Sequence, residues 1–578
     1  MEVHNTMATT AAVAESPVVT IGSATQQRGE TADPRRWIAL AVMTLGAFMV
    51  LIDTTVVNVA IPSIRNNLAA SYADTQWVVA GYQLAYAVLL VTGGRLGDIF
   101  GRRRLFLIGA IGFTITSVLS GLAQSPGMLV GSRIAQGLAA ALLFPQGLSM
   151  ITAVFPARER AKAFGIFGAA AGIAVVLGPL LGGLIIGDNT TGDAWRYIFL
   201  INVPVGLIAL AGALRFVRET RSAGVRGIDL SGTALLSIAL TAIVFPLLEG
   251  RDADWAPWTF ASLVGGVVML ALFFAHQHTR SRAGRPTLVQ TSMFRERAFS
   301  TGSLLALVVF AAVPSTLFTI NLVFQAGLGF TALHAGLTTL GFSGGVFIGA
   351  IMGVRLEGRL GGRGVLALGT LLGALGSIGL IVTLHARGGA VTTGDFIPPL
   401  LAIGVGFGNI GPRLFQVVLA RVSPEHAGSG SGVLSTINQL GAAVGVTVVG
   451  LTLFSLLGTN AGPTIARYTP QVQAAAVSEL HVPQAQLASF ARTYDACFVQ
   501  RIDAKDPAAP IPGCPAATPA LLHAPLGRVG SSALADTFVA SESTALLINA
   551  AVFALAFVLV LALPRSARTH EEDEEVAA

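Results

Sequence analysis

The chain is poor in charge, nearly without lysine and almost without cysteine. Only 11% of its 578 residues are Asp, Glu, Lys or Arg, against roughly 25% in soluble globular domains. Most of the chain therefore cannot face water, and its length exceeds what one soluble core supports. Lys162 and Lys505 are the only lysines, so arginine carries almost all the positive charge. A net charge of +6 would suit a nucleic-acid partner if the arginines formed one patch. They lie instead in short clusters between apolar runs, which argues against nucleic acid and reports membrane orientation. No GxxxxGK[ST] stretch is present, so ATP-driven transport through a P-loop is excluded. Neither a His/Cys metal spacing nor the nucleophile elbow of a hydrolase is read, and no metal, cofactor or enzymatic activity is expected.

What remains is apolar and rich in glycine. Hydrophobic residues make up 53% of the chain, with 67 glycines that let helices approach closely in lipid. A membrane-spanning helix needs about 20 mostly apolar residues. Such windows occur at 37–61, 75–95, 105–124, 128–153, 163–187, 195–214, 230–249, 257–277, 299–324, 333–354, 364–385, 396–420, 428–457 and 543–563, fourteen in all. The charge-free stretch 299–354 is divided at Gly327–Leu333. Clusters such as Arg102–Arg104, Arg158/Arg160/Lys162, Arg215/Arg218/Arg221/Arg226, Arg280–Arg297 and Arg355/Arg359/Arg363 follow the even-numbered windows, and Arg421 closes the twelfth. The short intervening loops hold at most a single basic residue each, such as Arg65, Arg251 and Arg387. The positive-inside rule then places the even loops and both termini in the cytoplasm, with the first span an uncleaved signal anchor.

This gives a division into a disordered cytoplasmic segment 1–36, a six-helix bundle 37–216, two linker helices 227–278, a second six-helix bundle 298–564 and an acidic cytoplasmic tail 565–578. An extracytoplasmic Pro/Ala-rich loop, 458–542, interrupts the second bundle. It holds Cys497 and Cys514, the sole cysteines, on the oxidising side; they form a disulfide or stand as two thiols. The halves echo one another. Arg95-Leu96 to Gly101-Arg102-Arg103 recurs as Arg355-Leu356 to Gly361-Gly362-Arg363, 260 residues on, although Gly358 stands where the first copy has Asp98. Phe144-Pro145 through Pro156 to Gly165 is matched by Gly411-Pro412 through Pro424 to Gly432. Duplicated helical halves with a site between them are a transporter design.

Gly94-Arg95-Leu96-Gly97-Asp98-Ile99-Phe100-Gly101-Arg102-Arg103-Arg104 resembles the signature loop of the major facilitator superfamily. Asp98 is placed to pair with Arg102 one turn on or to face a helix N-terminus, and the resemblance implies that Gly94, Asp98, Gly101, Arg102 and Arg103 latch the two halves on the cytoplasmic side. The fifth window, with Gly172, Gly178, Pro179, Gly182 and Gly183, resembles the motif of that superfamily's antiporters. Asp53 to Pro62, Arg133-Ile134-Ala135-Gln136-Gly137 and Trp195-Arg196, with fourteen windows, look like its fourteen-helix drug:proton antiporter family. The implied fold is all-α, two six-helix bundles plus two central helices. The implied function is proton-coupled export of small amphiphilic or hydrophobic compounds across the cytoplasmic membrane. Uptake symport and a non-transporting receptor or scaffold are the alternatives, and a monomer is expected.

Ionisable residues within a span are functional candidates by default. Burial favours the neutral acid at Asp53 whereas a neighbouring cation favours the carboxylate, a tension suited to a proton carrier. By the resemblance, Arg133 faces the central cavity and tunes it. The competing readings are an acid reaching the headgroups and an arginine snorkelling to the interface. Asn58, Gln136, Asn321, Gln325, Asn409, Asn438 and Gln439, and more weakly Gln83 and Gln146, either line the cavity or bond between helices. With Asp53 the only deep acid in this reading, a single coupling proton is expected.

Overall fold

The structure is a computed structural model that describes residues 35–187, 192–221, 227, 229–250, 253–419, 427–503, 514 and 525–563. The expectations for residues 1–34, Arg226, Arg251, Arg421, Pro424 and the acidic tail lie outside these. Helices account for nearly all of it. The first set is α1 (Arg36–Leu68), α2 (Tyr72–Phe100), α3 (Arg102–Gly121), α4 (Pro126–Val154), α5 (Ala157–Gly187), the short α6 (Tyr197–Leu200) and α7 (Asn202–Phe216). Helices α8 (Leu230–Glu249) and α9 (Pro257–Arg282) follow. The second set is α10 (Arg297–Leu322), α11 (Ala332–Arg387), α12 (Thr393–Leu419), α13 (Ala427–Leu480), α14 (Leu487–Asp503) and α15 (Pro525–Ala562).

Local chemistry marks many of the starts. Ser71 and Asp74 form a reciprocal capping box on α2, and Ser125 caps α4 with Pro126 at the first helical position. Thr331 caps α11 by accepting from the His334 N–H. His334, expected in a loop, thus lies in the first turn of that helix. Among the described residues, each of the fourteen sequence windows lies mainly on helix. Among the described residues, 11 helices are long and apolar enough to cross a membrane, and α2, bent by 46°, makes a twelfth. Two windows share the 56-residue α11, which breaks at Gly361 (φ 67°). Its counterpart 260 residues earlier, Gly101, separates α2 from α3 at φ 111°. Only glycine takes such angles freely, so the repeat seen in sequence is also a repeat of backbone geometry.

The segment 458–542 departs from the expected loop. Helix α13 continues without interruption to Leu480, 54 residues in all, and α15 begins at Pro525. At 1.5 Å per residue, α13 is about 80 Å long, far more than the ~30 Å apolar slab of a bilayer. Its Pro463 and Pro470 suggested loop, but the alanine-rich sequence is strongly helix-forming, and packing completes the case. Val472, Ala475, Ala491 and Leu526 form a small core of their own. Tyr468 donates to Asp536 at 2.7 Å, and the Leu526 N–H donates to Glu479 at 3.0 Å. Cys497 on α14 is disulfide-bonded to Cys514. The described residues of the segment form a helical cap.

The distribution of apolar cores shows how the halves meet. At the end remote from the arginine clusters, one cluster unites Ile52, Val56 and Val59 of α1 and Ile186 of α5 with Ala312, Phe318 and Phe324 of the second set. Towards the arginine-rich end the cores divide. Met43, Phe106 and Leu143 belong to one, while Phe299, Leu305, Val309 and Leu414 belong to another, which reaches the first set only through Ala80 and Leu84 of α2 and also takes in Leu236 and Leu240 of α8. The molecule is thus drawn together at its arginine-poor end.

Candidate functional site

Helix α1 carries functional side chains on two faces. One face looks into the first helical set. There Asp53, with no exposed surface, is ion-paired to Nη1 of Arg133 on α4, which is 1% exposed. Asp53 Oδ1 accepts from Gln136 Nε2 at 3.0 Å and from Asn202 Nδ2 at 2.9 Å. Arg133 in turn donates to Gln136 Oε1 at 2.7 Å and, through Nε, to the Val78 carbonyl at 3.1 Å. Its guanidinium lies 4.3 Å from the ring centroid of Tyr82, a favourable cation–π arrangement. Ser117 closes the network, accepting from Gln136 and Asn202 and donating to the Phe199 carbonyl. A buried ion pair survives only with its remaining donors and acceptors satisfied, and this network supplies them from α1, α2, α3, α4 and α7. Arg133 is therefore not snorkelling, and Asp53 does not reach the headgroups.

The other face of α1 meets the second set. Thr55 and Asn58, with Pro179 of α5, Leu317 and Asn321 of α10, and Thr339, Phe342 and Ser343 of α11, line a narrow recess between the halves whose cavity volume, about 10 Å³, is that of roughly one water molecule. Asn58 Oδ1, Asn321 Oδ1 and Ser343 Oγ are buried polar atoms with no protein partner. Three such atoms around an otherwise apolar recess give a ligand a few directional contacts in an oily setting. Gln325 sits at its arginine-poor edge, donating to the Val59 carbonyl at 2.8 Å across the two halves. It lies in a π-helical turn, Val323–Gly327, that ends α10, the kind of irregularity that recurs at functional sites.

The remaining candidates separate. Gln136 belongs to the Asp53 network rather than to the recess. Asn409 is buried between α12 and α11, donating to its own helix at Val405. Asn438 is buried on α13 and Gln439 beside it is half-buried, and neither lines the recess. Gln83 is buried on α2, and Gln146 donates to the Gly93 carbonyl, tying α4 to α2. Asn202, Ser117 and Tyr82 were missed. Asn202 carried the same signal as Asn58, an amide inside an apolar run. For Ser117 and Tyr82 nothing along the chain indicated their partners.

At the signature loop Arg102 pairs with Asp98 at 2.9 Å, and Gly94 packs near Pro145. A Cβ on Gly101 would run into the Glu219 carboxylate, whose oxygen accepts from the Arg103 N–H at 3.1 Å. Arg103 also donates to the Ala213 and Leu214 carbonyls that end α7, and Arg95 to the Thr287 carbonyl beyond α9. These contacts bind the loop to its own half and to the linker. In the second copy Glu357, one residue before Gly358, lies 3.7 Å from Arg413, so that loop keeps an acid after all. In the fifth-helix motif Gly178 and Gly182 face Thr55 and Val56 of α1, while Gly183 faces Ala332 and Leu333 of α11. Gly172 lies two turns earlier on α5. One glycine-lined helix thus packs against both halves beside the recess.

Two duplicated helical sets, a recess between them and a buried ion pair behind one wall define a multi-pass membrane transporter. The chain belongs to the Major Facilitator Superfamily, whose model matches residues 43–446. It is 37% identical to a probable actinorhodin transporter of Streptomyces coelicolor over 93% of both chains. It is 34% identical to a puromycin resistance protein of Streptomyces alboniger, covering 72% of this chain and 82% of that one. A tetracenomycin C resistance and export protein of Streptomyces glaucescens is 32% identical over 73% of this chain and 77% of its own. Among solved structures, a bacterial homolog of the human lysosomal transporter Spinster, inward-facing and unoccupied, aligns with a TM-score of 0.55. It covers 92% of this chain and 99% of its own at 19% identity, a likeness of fold alone.

Proposed function

We propose that this protein is a proton-coupled antiporter that exports small amphiphilic or hydrophobic compounds, antibiotics and related metabolites among them, and that it is a carrier rather than an enzyme. The observation that carries the reading is the shared helix α1, which holds Asp53 on one face and Thr55 and Asn58 of the recess on the other. Protonation of Asp53 removes its charge and loosens the pair with Arg133, and α1 transmits that change to the recess. The substrate is held by apolar contact and by Asn58, Asn321 and Ser343. The names of the Streptomyces relatives support an antibiotic-like substrate.

In the same reading the chain crosses the cytoplasmic membrane fourteen times with both termini inside. Residues 37–216 and 298–564 are the rocking bundles, and 227–278 the inserted pair. The protein works as a monomer, and the Asp98 loop steadies the cytoplasmic end of the first bundle. The arginine-poor end then faces outward, and the arrangement described is closed on that side. The test is accumulation of fluorescent amphiphiles in inside-out vesicles carrying the protein. Export predicts accumulation that requires a proton gradient and collapses with a protonophore. Gradient-driven depletion from the vesicles would point to uptake and sink the reading.

A further inference from the structure

A second acid lies buried in the other half, where no sequence window included it. Glu542, on α15, has no exposed surface. Its Oε1 accepts from the Thr319 hydroxyl of α10 at 2.8 Å, and its Oε2 has no partner. Helix α15 packs against α10, α11, α13 and the turns Val323–Gly327 and Gly388–Ala390. On α10 the only charged residue is Arg297, at the far end; the two turns carry none. The titratable groups of α13 are Arg467, Tyr468 and Glu479 in the cap, with Tyr468 bonded to Asp536 of α15 and Glu479 to the Leu526 N–H. Those of α11 are His334, Arg355, Glu357, Arg359, Arg363, His385 and Arg387, and α15 itself adds Arg528. Among the described residues none of these forms an ion pair with Glu542.

A carboxylate so placed, with one donor and no cation, is costly, whereas the neutral acid is not. The surroundings suit a group that changes protonation rather than a mere structural bond. Asn549, two turns further along α15, donates to Thr316 at 3.0 Å and accepts from Ser315 at 3.3 Å, so a polar strip runs down the α10–α15 seam. The opposite face of α10 presents Leu317 and Asn321 to the recess. Helix α10 opens the second set as α1 opens the first, and each stands between the recess and a buried carboxyl group.

We propose that Glu542 is a second proton-carrying site, so that two protons rather than one are exchanged in each cycle. The proposal rests on the antiport reading. Glu542 is the neutral acid in the arrangement closed at the arginine-poor end. When α10 shifts against α15, its O–H bond breaks, the proton passes to water on the arginine-rich side, and the carboxylate is reprotonated from the opposite side.

The experiment pairs two measurements on the full-length protein in liposomes. The first is the proton-to-compound ratio for wild type, Glu542→Gln and Glu542→Asp, using one transported fluorescent amphiphile. Glutamine keeps the shape of the neutral acid, so folding is preserved and the ratio is expected to halve; aspartate is expected to retain the wild-type ratio. The second is the infrared carbonyl band of a neutral carboxylic acid, expected to titrate in wild type and to be missing in Glu542→Gln. An unchanged ratio in Glu542→Gln, or a band indifferent to pH, overturns the proposal. If wild type moves no protons with any compound, the antiport reading fails. The band then decides Glu542 alone, a titrating band keeping it as a proton site and a fixed one removing it.

Discussion

Asp53 and Arg133 were legible in the sequence because each is a charge inside an apolar run, and lipid leaves such residues few bland explanations. That Arg133 tunes Asp53 comes only from the resemblance; their direct contact, turned into the first set rather than to the recess, could not be read, since they are 80 positions apart and on different helices. The structure also narrows what substitutions will do. Arg133→Gln strands the Asp53 carboxylate, and breaking one side of a buried pair costs about 3–5 kcal/mol. Asp53→Asn/Arg133→Gln is expected to recover most of that stability while remaining uncoupled from protons. Thermal unfolding in detergent, read beside proton transport, checks both halves of the prediction; a double variant as unstable as Arg133→Gln would contradict it. Asn202→Ala removes one donor from Asp53 Oδ1, a loss of about 1–3 kcal/mol. Stability measured against Asn58→Ala, whose amide contacts only its own helix through long 3.5 Å bonds, should show the larger loss at Asn202.

Among the elements, the helices were recovered almost completely by counting apolar residues, and the exceptions are instructive. The cap looks like loop in the sequence because its prolines mask the helix propensity of its alanines. Glu542 stands one residue before the last apolar window, 543–563, where a charge reads as the edge of a loop. Glycine motifs gave α5 its place but not its partners, which are Thr55 and Val56 on one side and α11 on the other. Gly178→Ala drives a methyl group into Thr55, an overpacking typically worth about 1–3 kcal/mol. Thr55→Ala should relieve the part of the clash made by the hydroxyl, leaving the Thr55 Cβ 2.8 Å away, and the double variant's melting temperature tests that; a double variant no more stable than Gly178→Ala would contradict the hydroxyl clash. Gly336→Ala brings a methyl to 2.6 Å from the Pro179 carbonyl, at the junction of the halves. It is expected to disfavour closure at the arginine-poor end, seen as faster thiol labelling of a cysteine placed at Leu333.

The linker helices depend on another acid. Asp229 caps α8 through the Gly232 N–H at 2.9 Å and accepts from Gln277 of α9 at 2.6 Å. Burial pushes its carboxyl up, but bonds from Gly232, Gln277, Ser231 and His276 outweigh that and hold it below the usual carboxylate range. A depressed folded-state value means stabilisation that is complete at neutral pH and lost only as pH falls below about 4. Asp229→Ala should therefore loosen α8 from α9 at neutral pH, with the variant and wild type converging in strong acid. Hydrogen exchange of the first turn of α8 would report it.

For the whole molecule, duplication and orientation followed from the spacing of glycines and arginines, because both are one-dimensional signals. Closure at one end was not visible, since it depends on which apolar residues of two distant segments touch. The energetics of a complete cycle are simple. Moving one charge through 100 mV supplies roughly 2.3 kcal/mol, and one pH unit about 1.4 kcal/mol. The voltage dependence of transport therefore reports the proton count minus the substrate charge. The central claim, that compounds leave in exchange for a proton held at Asp53, is tested most directly in acid-loaded liposomes containing purified protein. Wild type and Asp53→Asn would be challenged with the same panel of compounds while the internal pH is followed. The account predicts compound-dependent alkalinisation in wild type that is lost in Asp53→Asn. Equal alkalinisation in folded wild type and folded variant would contradict it.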